Sequence, residues 1–219
     1  MNYVKTILVG FLGGAAASFL LLSLLSVNEQ AEPSPTPMPI IVSPDFWQKI
    51  VSDHGLSTVA IQSFKGGKII REGSGAVISS DGVIITTFDV IVGADVFQIF
   101  HGDKILRAQL MRYDGSKNLA LLKVAATDMN VTRLERSYRF QPGQDIIVYG
   151  KTVELSSPVV FAQRGMISYI LSKDILVDTE PKYFLSGSKV INNSGFVVGM
   201  AYLRSGTVHL IIAETMDDF

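Results

Sequence analysis

Few side chains of this sequence combine the residue types and spacing that catalysis or metal binding needs. The chain contains no cysteine, and its three histidines, His54, His101 and His209, do not stand at metal-ligand spacing. It also lacks the glycine-rich loops that hold phosphates. Ser186 precedes Lys189 by three residues, a spacing that could pair a serine with a basic amine, but we expect Lys189 to be solvent-exposed. We therefore expect no metal and no cofactor.

The charge balance excludes some classes of partner. The chain has 19 basic and 20 acidic residues, for a net charge of −1, so we expect no nucleic-acid binding. Hydrophobic residues make up 47% of the 219 positions, and the mean hydropathy is +0.33. Such an apolar composition indicates that part of the chain lies in lipid.

The apolar excess is concentrated near the N-terminus. Residues 6–27 form an uncharged run of 22 residues, which is long enough for a helix to cross a bilayer. A cleaved signal peptide is the alternative, but its apolar core is shorter and ends at a small-x-small site. We favour an uncleaved, single-pass anchor in the cell membrane. Lys5 places residues 1–5 in the cytoplasm and the rest of the chain outside it.

Residues 28–42 contain four closely spaced prolines. Proline favours the extended polyproline II conformation, so this segment is predicted to be a semi-rigid linker. The linker would hold a globular domain, residues 43–219, away from the membrane.

The globular part begins with a helix signal, a proline and an acid at positions 44 and 45, and is otherwise predicted to be all-β. Short runs of β-branched and aromatic residues alternate with turn pairs such as Asp81-Gly82. They fall into two sets of about six strands, at about 56–126 and about 140–219. This pattern predicts two small β-barrels packed side by side.

Six short motifs follow one another along the chain, at residues 73–86, 92–95, 114–124, 142–143, 186–192 and 195–199. The first reads Gly-Ser-Gly-Ala-Val-Ile-Ser-Ser-Asp-Gly-Val-Ile-Ile-Thr, and the fifth reads Ser-Gly-Ser-Lys-Val-Ile-Asn. In sequence, order and spacing, these motifs resemble the high-temperature-requirement (HtrA/Deg) family of trypsin-like serine proteases. The resemblance implies a trypsin-like double β-barrel made of two six-stranded Greek-key barrels. We expect no C-terminal PDZ module, because the sequence ends at Phe219.

The resemblance also assigns the site positions, and two of them carry the wrong residue for proteolysis. Ser186 occupies the nucleophile position, Asp89 that of the catalytic histidine and Asn118 that of the triad aspartate. An aspartate carboxylate is a weaker base than imidazole, and its shorter side chain is not expected to reach the serine. Asp89 and Asn118 could instead hydrogen-bond to each other. The oxyanion position is formed by Phe184 and Ser186, and the N–H of Phe184 is expected to point elsewhere because the family has glycine there.

These substitutions predict a catalytically inactive pseudoprotease. We favour an extracytoplasmic module that binds a protein or an extended peptide by strand addition, or acts as a scaffold. One alternative is an active membrane-bound serine endopeptidase that uses Ser186 with a non-standard base. Another is a structural subunit that forms a homo-oligomer or pairs with an active homologue.

Some remaining side chains are expected to serve the fold. Phe46 and Trp47 are predicted to pack on their own barrel rather than on a neighbouring subunit. His209 is predicted to lie on the polar face of the last strand, and His54 at the end of the first helix.

Overall fold

The computed structural model describes residues 44–172, 174–216 and 219. The predicted anchor, residues 6–27, and the predicted linker, residues 28–42, lie outside the described residues. Within the described part of the chain, no helix has the length and apolar character needed to cross a membrane.

The described chain consists of one N-terminal helix and two sets of six strands. The first half contains α1 (Pro44–Gly55), β1 (Thr58–Lys65), β2 (Lys68–Ser79), β3 (Val83–Thr87), α2 (Phe88–Ile91), β4 (Val96–His101), β5 (Lys104–Asp114) and β6 (Leu119–Val124). The second half contains β7 (Asp145–Glu154), β8 (Ser157–Leu171), β9 (Asp174–Asp178), β10 (Ser188–Asn192), β11 (Val197–Arg204), β12 (Thr207–Ile212) and a 3₁₀ helix (Ala213–Met216).

Each set of strands closes into a barrel. The spatial order is β1-β2-β3-β6-β5-β4 in the first barrel and β10-β11-β12-β9-β8-β7 in the second. In both barrels the third strand pairs with the sixth rather than with the fourth, so the two barrels share one topology. The predicted all-β double barrel of six strands each is confirmed.

Burial of alternate strand residues gives each barrel its own core, as expected for closed sheets with one face inside. The first core contains Val59, Ile61, Val77, Ile84, Ile99 and Leu122, and the second contains Ile146, Val148, Ile167, Val190, Val198 and Leu210. A third cluster joins the barrels, with Ala76, Ile85 and Leu119 from the first and Met200, Ile211 and Met216 from the second half. The candidate site lies at this junction.

Helix α1 packs on the second barrel. Ile50 is buried against Ile147 and Tyr149 of β7, and Phe46 and Trp47 pack at the margin of the same cluster. The two aromatic residues therefore contact their own domain, as predicted.

Candidate functional site

Strand pairing brings Asp89 and Asn118 together. Thr87 at the end of β3 pairs with Leu119 at the start of β6, so the residues just beyond them are neighbours. Asn118 has a φ of +53°, in the left-handed region that asparagine tolerates better than most residues. In this conformation its side-chain Oδ1 accepts the N–H of Asp89 at 3.1 Å, and its carbonyl accepts the N–H of Phe88 at 3.0 Å. Asn118 thus fixes the first turn of α2, which carries Asp89.

The loop before β10 positions Ser186. Ser188 pairs with Ala201 of β11, and this register places Ser186 opposite Leu203. The carbonyl of Ser186 accepts the N–H of Ser74 at 2.9 Å, which ties the loop to the first barrel. Gly187 has a φ of +79°, and a Cβ there would lie 2.0 Å from the carbonyl oxygen of Ser74. Only glycine therefore fits this close approach of the two barrels.

Ser186, Asp89 and Asn118 form a continuous chain of hydrogen bonds. The Ser186 hydroxyl donates to Asp89 Oδ2 at 2.5 Å, and Asn118 Nδ2 donates to Asp89 Oδ1 at 3.4 Å. The backbone N–H of Leu203 donates to Ser186 Oγ at 3.0 Å. The expectation that Asp89 would be too short to reach the serine is wrong, because the loops approach closely enough for direct contact. The Asp89–Asn118 hydrogen bond is present.

The described histidines are each bonded elsewhere. His54 Nε2 lies 3.1 Å from the carbonyl of Gly195, and His101 Nε2 lies 2.9 Å from that of Leu56. Burial and the charge of Lys189 lower the pKa of His54 below its ordinary value. Within the described residues, neither His54 nor His101 contacts Ser186.

His209 lies on the face of β12 opposite the second core, which contains its neighbours Val208 and Leu210, so the predicted polar face is confirmed. Its Nδ1 lies 2.7 Å from Asp174 Oδ1, and its Nε2 lies 2.8 Å from Thr207 Oγ1. The residue is only 4% exposed, its ring lies beside that of Tyr202 with centroids 5.3 Å apart, and its pairing with Asp174 offsets the cost of burial. It supplies no base to Ser186.

The oxyanion position contains two backbone N–H groups with no hydrogen-bond partner in the described part of the chain, those of Phe184 and Ser186. The Phe184 ring is held edge-on between Phe161 and Tyr183, with ring centroids 4.9 Å apart in both pairs. The predicted misdirection of the Phe184 N–H stays a prediction.

The prediction of a solvent-exposed Lys189 is wrong. Lys189 is 0% exposed, and its Nζ donates to Ser57 Oγ at 2.7 Å, away from Ser186. Lys189 pairs with Tyr149 of β7, so it faces the same side as the α1 packing cluster. Lys151, two residues further along β7, donates from its Nζ to the carbonyl of Gly55 at 2.7 Å. The apolar neighbours of Lys189 in β10 were the sequence signal for a strand covered on both faces.

Ser186 opens into a cavity of about 400 Å³, which we call the cleft. The cleft is lined by Ile69, Ile70, Arg71, Glu72, Asp89, Tyr183, Ser186 and Leu203. Sequence reasoning missed Ile69, Ile70, Tyr183 and Leu203, which carry no motif and come together only when the barrels pack. Among the described residues, no group of three or more histidines and acids could hold a metal ion.

Two closed six-stranded barrels, with a loop serine of the second facing a one-turn helix of the first, define the trypsin-like class. Residues 73–200 match the family described as the trypsin-like peptidase domain. The chain belongs to this family, and it is homologous to the DegP, HtrA and DegS serine proteases. The resemblance inferred from the motifs is confirmed.

Individual relatives show the extent of the similarity. A probable periplasmic serine endoprotease, DegP-like, from Marinomonas sp. (strain MWYL1) is 32% identical over 143 residues, which are 61% of this chain and 30% of that protein. Serine endoprotease DegS from Haemophilus influenzae is 25% identical over 178 residues, which are 76% of this chain and 52% of that one. The chain thus spans about a third to a half of the length of these relatives.

A solved structure supports the fold alone. The serine endoprotease from Yersinia pestis superposes with a TM-score of 0.68 at 22% identity, covering 78% of this chain and 64% of that chain.

Proposed function

We propose that this chain is a membrane-tethered, catalytically inactive trypsin-like protein that binds a protein or an extended peptide outside the cytoplasm. The observation that carries the proposal is the bonding of Ser186. Its hydroxyl donates directly to the carboxylate of Asp89 and accepts the N–H of Leu203. No imidazole contacts the serine within the described residues, so the base of a serine protease is replaced by a carboxylate.

The replacement weakens both halves of acyl transfer. A carboxylate has an ordinary pKa of about 3.9 against about 6.5 for imidazole, so accepting the serine proton costs about 3.5 kcal/mol more. The same base must later protonate the leaving amine, for which histidine is suited near neutral pH. In a triad the aspartate accepts a hydrogen bond from the histidine, whereas Asn118 donates one to Asp89. The second hydrogen bond of the triad is therefore reversed, while the first still runs from Ser186 to the base position.

A binding role is supported by what the site retains. The cleft is open and lined by both apolar and charged side chains, and the backbone beside Ser186 keeps the close approach of the two barrels. Such a cleft can hold an extended peptide without cleaving it.

Digestion of unfolded casein by the full-length chain tests the proposal. We expect the unmodified chain to release no more casein fragments than the Ser186→Ala variant does, because the serine has no imidazole base. Control digestions use an active trypsin-like protease. Hydrolysis by the unmodified chain that Ser186→Ala abolishes would overturn the proposal.

An active endopeptidase is the second candidate. It is favoured by the direct Ser186–Asp89 contact and by the unpaired N–H groups of Phe184 and Ser186 in the described chain. These groups could donate hydrogen bonds to a developing oxyanion if Asp89 acted as the base. The casein experiment separates the two candidates.

The tether rests on the uncharged run of residues 6–27, followed by the proline-rich linker 28–42. Alkaline carbonate extraction of membranes tests it. We expect the full chain to stay in the membrane pellet and a variant without residues 6–27 to be released. Release of the full chain would contradict anchoring.

A further inference from the structure

Part of the cleft wall is apolar, although it faces solvent. Ile69 and Ile70 of β2 are 49% and 40% exposed, and the Tyr183 ring is 73% exposed. Leu203 also lines the cleft, and its N–H donates to Ser186 Oγ. Aliphatic and aromatic surfaces of this kind pack well against the methylene stem of a long side chain.

The cleft carries an excess of negative charge. Asp89 and Glu72 both line it, and each carboxylate is held by a neutral amide, from Asn118 and Gln62. Neither carboxylate forms an ion pair with another described residue. A carboxylate has about four acceptor sites, and the Asp89 side chain receives only two hydrogen bonds, from Ser186 and Asn118. Arg71 is the one cationic residue among the cleft-lining residues, so the net charge is −1.

Part of strand β11 in the second barrel has an unpaired edge beside the cleft. Strand β11 continues beyond Ala201, where its pairing with β10 ends, and residues 202–204 pair only with β12. The N–H of Leu203 on the unpaired edge points to Ser186 Oγ. An extended peptide lying along this edge would pass beside Asp89.

We propose that the cleft binds an extended peptide through a lysine or arginine side chain whose charged end reaches Asp89. The stem of that side chain packs against Ile69, Ile70 and Leu203, and the Tyr183 ring offers a face to the cation. This inference rests on the proposed peptide-binding function and adds its specificity. Charge complementarity, rather than the apolar walls alone, selects the ligand.

Binding of fluorescein-labelled, terminally blocked heptapeptides to the full-length chain tests the inference. The peptides have the sequence Ser-Val-Thr-X-Val-Thr-Ser, in which X is lysine, norleucine or glutamate. Fluorescence polarisation gives each Kd. We expect the lysine peptide to bind at least about ten-fold more tightly than its neutral norleucine match, and the glutamate peptide to bind most weakly.

Two variants, each of which removes one negative charge, test whether the lysine preference arises from Asp89. Asp89→Asn is expected to reduce the lysine preference to less than about three-fold, whereas Asp95→Asn, on an exposed acid outside the cleft, leaves it unchanged.

The outcomes separate this inference from the function on which it rests. Equal affinity for the lysine and norleucine peptides, or a lysine preference that survives Asp89→Asn, overturns the cation assignment. The cation assignment is also overturned if none of the three peptides binds, or if the chain self-associates and thereby keeps the peptides out of the cleft. Cleavage of the peptides that depends on Ser186 instead overturns the proposed non-proteolytic function, whatever the preference.

Discussion

Replacing Lys189 by methionine is predicted to stabilise the protein. Lys189 is fully buried, and its Nζ donates to the Ser57 hydroxyl. Burial, together with the positive charge of Lys151, holds the pKa of Lys189 well below its usual range. Within the described residues no carboxylate pairs with either amine. The folded state therefore opposes the charged form of Lys189, and the unfolded state does not.

The sign and size of the effect follow from proton linkage. Between the lowered folded pKa and the unfolded value of 10.5, the unfolded chain binds a proton that the folded chain does not. Stability thus rises with pH across this window by up to about 1.4 kcal/mol per pH unit for Lys189. Methionine is apolar and similar in length, so we expect Lys189→Met to be about 1–4 kcal/mol more stable at pH 7. The advantage shrinks as the pH rises towards 10.5.

Two features of the structure simplify the measurement of how Lys189→Met changes the free energy of unfolding. Ser57 Oγ keeps its hydrogen bond to the carbonyl of His54 at 3.3 Å, so no buried hydroxyl loses its last partner. Trp47, the single tryptophan, packs at the margin of the α1 cluster and reports unfolding by fluorescence. Urea unfolding of the full chain at pH 7, 8 and 9 gives stability and slope. Lys104→Met, at an exposed lysine, is the control. A Lys189→Met variant that is no more stable at pH 7, or that keeps the original pH slope, would refute the reasoning.

Three further predictions concern the site and its supports. Gly187→Ala should destabilise the fold by more than about 3 kcal/mol in urea unfolding, because its Cβ would overlap the carbonyl of Ser74. His54 has a lowered pKa through burial, so stability should fall as the pH drops below about 6.5, and His54→Gln should remove this loss. The double substitution Asp89→His with Asn118→Asp should raise the rate of fluorophosphonate labelling at least about 100-fold by restoring an imidazole base.

Each of these three predictions would be contradicted by a specific outcome. A soluble Gly187→Ala variant with unchanged urea midpoint would show that the barrels do not meet as closely as described. An acid stability slope that persists in His54→Gln would place the titrating group elsewhere. Labelling of the double variant that persists when Ser186 is also replaced by alanine would show that the probe reacts at another residue.

The barrel architecture could be predicted because its signals are local. Alternating apolar residues and turn glycines mark strands without knowledge of the rest of the chain, and the motif order fixes how they assemble. The same motifs aligned Asp89, Asn118 and Ser186. The contact between Asp89 and Asn118 also follows from register, since residues just beyond the paired ends of β3 and β6 are neighbours.

The mistaken predictions concern side chains whose surroundings come from distant segments. The burial of Lys189 depends on α1, which packs on the strand face that carries it, and the sequence alone does not specify which strand faces are covered. The reach of Asp89 depends on the separation of the two barrels, which is set by packing at their junction. The contact of Leu203 with Ser186 instead depends on how β10 and β11 pair within the second barrel.

Labelling of the full-length chain with a fluorophosphonate probe tests the central claim most directly, because the probe reacts only with an activated serine. Ser186→Ala serves as the negative control and an active trypsin-like protease as the positive one. We expect the unmodified chain to be labelled no more than Ser186→Ala, because the Ser186 hydroxyl is hydrogen-bonded to a carboxylate and has no imidazole partner. Labelling that is lost in Ser186→Ala would contradict it, since Asp89 would then activate the serine.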